Sequence, residues 1–60
     1  MHMCKWEYKS VLVTAMTAKK LSSVLEEKSN ELGKEGYELA CFDGVEAGTI
    51  IAVFKKPIEE

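Results

Sequence analysis

Asn30-Glu31-Leu32-Gly33-Lys34-Glu35-Gly36-Tyr37-Glu38-Leu39 decides how this chain folds. Leu32 closes an apolar stripe that Leu21, Val24 and Leu25 begin at helical spacing, i, i+3, i+4 and i+11. Four residues later Gly36 offers a position without a Cβ, suited to the left-handed turn that stops a helix. Tyr37, Glu38 and Leu39 then start an apolar–polar alternation, which is the period of a strand. The stretch therefore reads as a helix that hands its chain straight back to a sheet. Gly33 lies inside the expected helix, where glycine costs about 1 kcal/mol relative to alanine. Close approach of the helix to the sheet is the expected compensation.

Working outward, the helix is expected from Ala18 to about Glu35, with Glu26, Glu27, Lys28, Glu31 and Lys34 on its wet side. Thr17 is the expected N-cap, because its hydroxyl can accept from a free backbone N–H in the first turn. Lys19 and Lys20 oppose the helix dipole at that end. Upstream, Trp6 to Val13 alternates with aromatic and β-branched residues and predicts a first strand. Downstream, Tyr37 to Asp43 predicts a second strand, Asp43 to Gly48 a turn region, and Thr49 to Lys56 a third strand. Pro57 is expected to end that strand, and residues 58–60 to fray. The run Ile50-Ile51-Ala52-Val53-Phe54 is apolar on both faces, which marks a central strand.

The expected fold is α+β, in the order β-α-β-β, with a three-stranded sheet and one helix on one face. A helical crossover makes the first two strands parallel, and a hairpin makes the third antiparallel to the second. With the third strand central, the spatial order is 1-3-2. Residues 1–60 form a single domain. Met1-His2-Met3 reads as a doubled start, with Met3 the natural initiator and His2, the single histidine, outside the native chain.

One helix covers one side of such a sheet. The more uniformly apolar set, Trp6, Tyr8, Leu12, Tyr37, Leu39 and Cys41, is expected to meet Leu21, Val24, Leu25 and Leu32. The other face then holds Val11, Val13, Ala40 and Phe42, with either Ile50, Ala52 and Phe54 or Ile51 and Val53 from the third strand. Either parity leaves apolar side chains uncovered, and such a patch marks an interaction surface. The candidate contact set is Val11, Val13, Ala40, Phe42, Ile50, Ala52 and Phe54, and the expected partner is a second copy, as a homodimer or higher assembly. Glu7, Lys9 and Glu38 on that face count against it. Size points the same way as the patch: a chain of 60 residues buries only about 60% of its unfolded surface, so a partner subunit is a natural source of added stability.

Composition removes other classes. The chain is 47% apolar and 30% charged, which places it among folded globular proteins. Net charge is −2 and arginine is absent, so no cluster of basic side chains is read for nucleic-acid phosphates. No apolar run reaches the ~20 residues that span a bilayer, and no secretory leader is read at the start, so the expected location is cytoplasmic. Cys4 and Cys41 lack the spacing of a zinc site and are expected as free, partly buried thiols. The 1-3-2 order separates their strands, whereas a disulfide needs Cα atoms within about 7 Å. Glu26, Glu27, Glu31 and Glu35 read as a solvated helix face. Gly44 and Gly48 match no phosphate loop. No triad, cofactor site or metal site is found, and an enzyme is not expected.

The runs Trp6-Glu7-Tyr8-Lys9, Leu25-Glu26-Glu27, Asn30 to Leu39 and Ile51-Ala52-Val53-Phe54-Lys55-Lys56-Pro57 together resemble a small bacterial and phage family catalogued as domain of unknown function 4177. Relatives often carry Trp where this chain has Tyr37 and Arg where it has Lys56. The resemblance implies a stand-alone β-α-β-β domain of prokaryotic or phage origin; it implies no activity and no catalytic residues. Three function classes follow. The leading one is a non-enzymatic homo-oligomeric binding or adaptor module. The second is an accessory protein that sequesters a small ligand or blocks a host defence protein. The third, weakest on charge, is a nucleic-acid binder.

Overall fold

A computed structural model describes residues 5–58. The chain runs through β1 (Lys5–Thr14), α1 (Ala18–Gly33), β2 (Glu38–Glu46) and β3 (Thr49–Ile58). The strands form one sheet in the order β1-β3-β2. β3 is antiparallel to both neighbours, so β1 and β2 run parallel without touching. The expected α+β architecture and strand order are those observed.

The helix begins where its sequence can satisfy a first-turn N–H. Thr17 is extended, and its Oγ1 accepts from the backbone N–H of Lys20 at 3.2 Å. At the other end the Tyr37 N–H donates to the Leu32 carbonyl at 3.0 Å, and the Gly36 N–H donates to the Gly33 carbonyl at 3.0 Å. Those nested bonds, with Gly36 at φ +93°, form a Schellman stop. Its usual apolar contact is present too, because Leu32 and Tyr37 both belong to the buried cluster. Gly33 is helical as expected, but a Cβ there would meet nothing within 4 Å. No close approach to the sheet compensates it, and its cost is left uncorrected.

The strands run longer than their patterns suggested. β2 continues past Asp43 to Glu46, leaving Ala47 and Gly48 to turn the hairpin. β3 passes through Pro57, which faces Trp6 of β1, and ends at Ile58 opposite Lys5. β2 pairs with β3 only as far as Lys55, so the proline falls where the central strand has one neighbour. Gly48 has φ +79° and its carbonyl accepts from the Ala15 N–H at 2.9 Å. This bond ties the β2–β3 hairpin to the segment that leaves β1 for the helix.

The core lies between α1 and one face of the sheet. Ala52 and Phe54 are fully buried there with Leu32 and Tyr37, and Val11 and Leu25 pack against them. The expected parity is therefore reversed for β1, while Tyr37 and Leu39 lie on the helix side as expected. Register places Val11 opposite Ala52 and Lys9 opposite Phe54, so the odd-numbered residues of β1 face the helix. Trp6, Tyr8 and Leu12 lie on the other side. On β1 the branched residues Val11 and Val13 take the covered side, opposite Ala52 and Ile50, and the Leu32–Tyr37 stop packs there with Ala52 and Phe54. A bulge between Leu39 and Cys41 also splits β2. It puts Leu39 and Phe42 on the helix side, opposite Phe54 and Ala52, while Cys41 joins the open face beside Val53.

Candidate functional site

The open sheet face is a grid set by the register. Across β1, β3 and β2 its rows read Tyr8–Lys55–Glu38, Ser10–Val53–Cys41, Leu12–Ile51–Asp43 and Thr14–Thr49–Glu46, with Trp6 beside Pro57 at one end. Apolar residues concentrate on β1 and β3. Tyr8 and Leu12 are 63% and 65% exposed, and Trp6 and Ile51 are each 37% exposed. Carboxylates line the β2 side through Glu38, Asp43 and Glu46. One side of the face is thus greasy and the other acidic.

Two local contacts hold this surface in place. The Lys55 ammonium sits 4.3 Å from the centre of the Trp6 ring, within cation–π range, and 3.8 Å from a Glu38 carboxylate oxygen. Lys55 thereby bridges β1 and β2 over the central strand. Asp43 accepts from the Gly44 N–H at 2.8 Å, next to the second irregularity of β2.

A second cluster caps the helix side of the sheet. The Tyr37 hydroxyl donates to Glu7, while Lys9 and Lys56 place their ammonium groups 5.3 and 5.1 Å from the ring centre. The hydrogen bond to Glu7 is the main influence raising the Tyr37 hydroxyl above its ordinary value of 10.0; burial and the charges of Glu7 and Glu35 act the same way. A phenol held protonated and already bonded to a carboxylate is a structural tie between the helix exit and β1. The two lysines flank the same ring from β1 and β3.

The candidate contact residues separate on inspection. Val13, Ala52 and Phe54 are buried within the chain, and Val11 and Ile50 are half-buried on the helix side. None of these five belongs to the open face. Phe42 is 60% exposed but stands on the helix side, at the flank of β2, and Ala40 is the extra residue of the bulge. The residues that occupy the open face are Trp6, Tyr8, Leu12, Ile51 and Val53. Their alternation was visible in the sequence; the side they take was not. Cys41 is free and exposed on that face rather than partly buried, and Cys4 lies outside the described residues.

Among the described residues, no group of three or more His, Cys, Asp or Glu side chains could hold a metal ion. No described helix is long and apolar enough to cross a membrane. No protein-family model matches this chain, and neither a curated protein nor a solved structure matches it.

Proposed function

We propose that this chain is a non-enzymatic module that associates with copies of itself and uses the open sheet face as a contact surface. The observation that carries this reading is the uncovered row of Trp6, Tyr8, Leu12 and Ile51 on a single-layered sheet. Large apolar side chains exposed side by side mark interaction sites. A 60-residue chain with five buried apolar residues among those described gains from covering them.

The experiment is sedimentation velocity and native mass spectrometry across a micromolar concentration range. Wild type is expected as an oligomer of the 6.7 kDa chain. Leu12→Lys places a charge on the patch without touching the core, and should shift the population toward smaller species with an unchanged circular-dichroism spectrum. Wild type that stays monomeric throughout the range would sink the reading.

A further inference from the structure

The two outer strands of the sheet are defended differently. β2 carries irregularities between Leu39 and Cys41 and between Gly44 and Glu46, which disturb the hydrogen-bonding row it could offer another strand. β1 pairs with β3 in unbroken register from Lys5 to Thr14, with no bulge and no proline. Its outer edge is therefore a regular ten-residue template. Charged side chains, covering loops and bulges are the usual protections of such an edge; among the described residues β1 has no bulge or covering strand, and its protection is the pair of opposite charges Glu7 and Lys9 on the helix side.

We propose that β1 pairs edge to edge, antiparallel, with β1 of a second copy, on a two-fold axis that sets Tyr8 against Tyr8. This rests on the self-association reading above and names a contact that joins two sheets side by side. Two-fold antiparallel pairing requires one residue to face its own copy, so the choices are few. Facing Lys9 with Lys9, or Glu7 with Glu7, opposes like charges. Centring on Ser10 sets Glu7 against Val13 and Lys9 against Val11. Centring on Tyr8 sets Glu7 of each chain opposite Lys9 of the other, giving two ion pairs on one face. On the other face it gives a Tyr8 pair flanked by Trp6 opposite Ser10.

Glu7 and Lys9 are exposed and already held by Tyr37, one by its hydroxyl and the other over its ring. Both charges therefore stand on the helix side of β1, the face on which the two ion pairs of the seam would form. The joined sheet has six strands, and its open face carries Trp6, Tyr8 and Leu12 of both copies around the seam. A contact on that doubled face remains possible after the edge is closed.

The test uses single cysteines in the full chain carrying Cys4→Ser and Cys41→Ser. Under mild oxidation Tyr8→Cys should form a disulfide-linked dimer, because directly opposed Cα atoms lie about 4.5–5.5 Å apart, whereas Ser10→Cys should not. Crosslinking through Ser10→Cys instead, or through neither site, overturns the proposal. A charge swap checks the register independently. Glu7→Lys alone and Lys9→Glu alone should each weaken the dimer by about tenfold, through two like-charge pairs. Mixing the two variants should restore a heterodimer, and a mixture no tighter than either variant counts against the register. Oligomeric wild type with no Tyr8→Cys crosslink removes the edge contact alone; monomeric wild type removes the underlying reading as well. Leu12→Lys should keep the Tyr8→Cys crosslink, which separates the edge from the open face.

Discussion

The two faces of this sheet carry nearly equal apolar content and have opposite fates. On one, Val13, Ala52 and Phe54 are buried, and Ala52 and Phe54 pack with Leu32 and Tyr37 while Val11 and Leu25 flank them. On the other, Trp6, Tyr8, Leu12 and Ile51 stay in contact with solvent. Hydrophobicity alone does not separate them. What separates them is shape: the covered face has a small residue at its centre and a helix stop that lays a ring over Phe54. The open face has bulky side chains on β1 and carboxylates on β2.

The sharpest way to break this comparison is to hollow out the covered side. Phe54→Ala should cost about 3–5 kcal/mol in chemical denaturation, as expected for a buried ring. Tyr8→Ala on the open face should cost under about 1 kcal/mol at concentrations where the chain is monomeric. Comparable losses at the two positions would mean that the faces are not distinct in the monomer.

The hairpin turn that borders both faces comes next. Gly48→Ala forces a side chain into a φ of +79° and puts its Cβ 2.6 Å from the Ala15 carbonyl oxygen. It should lower stability by about 2 kcal/mol or more, since backbone rather than a flexible side chain must move. Gly36→Ala shares the positive φ but meets only the Lys56 side chain, at 3.3 Å. Its cost should be nearer about 1 kcal/mol. Thermal melts that rank Gly36→Ala as the worse substitution would contradict the Ala15–Gly48 tie.

The smallest effects concern how the helix is held over the covered face. Gly33→Ala has open space around it and should gain about 0.5–1 kcal/mol of helix stability. Tyr37 supplies a pH test. Its hydroxyl is raised above 10.0 in the folded chain. The stabilisation it brings is therefore fully present below pH 10.0 and is lost as pH rises through the folded value. The difference in melting temperature between wild type and Tyr37→Phe should shrink as pH is taken above that point. A difference that stays constant across the alkaline range would show that the Glu7 bond contributes nothing.

Much of the fold was legible because its signals are local. Thr17 as the helix start, Gly36 as a left-handed stop, helical Gly33, and the apolar run that makes β3 central each follow from short-range geometry. Strand order then follows from connectivity. The candidate contact set was not legible in the same way. Its parity depends on which side of an ambivalent sheet the helix settles, and strand alternation is symmetric to that choice. The bulge after Leu39 compounds the problem, because one added residue exchanges the faces of Cys41 to Gly44 until the second irregularity restores them before Glu46.

By itself, then, this sequence determined a β-α-β-β chain with its third strand in the middle, since periodicity and turn chemistry act within a few residues of one another. Only the tertiary structure decided that Ala52 and Phe54 lie under the helix, that Trp6, Tyr8 and Leu12 face outward, and that Gly48 bonds to Ala15. Those outcomes depend on volume matching and hydrogen bonds between segments more than thirty residues apart. Such contacts reward one packing over its mirror choice only once the whole sheet has formed.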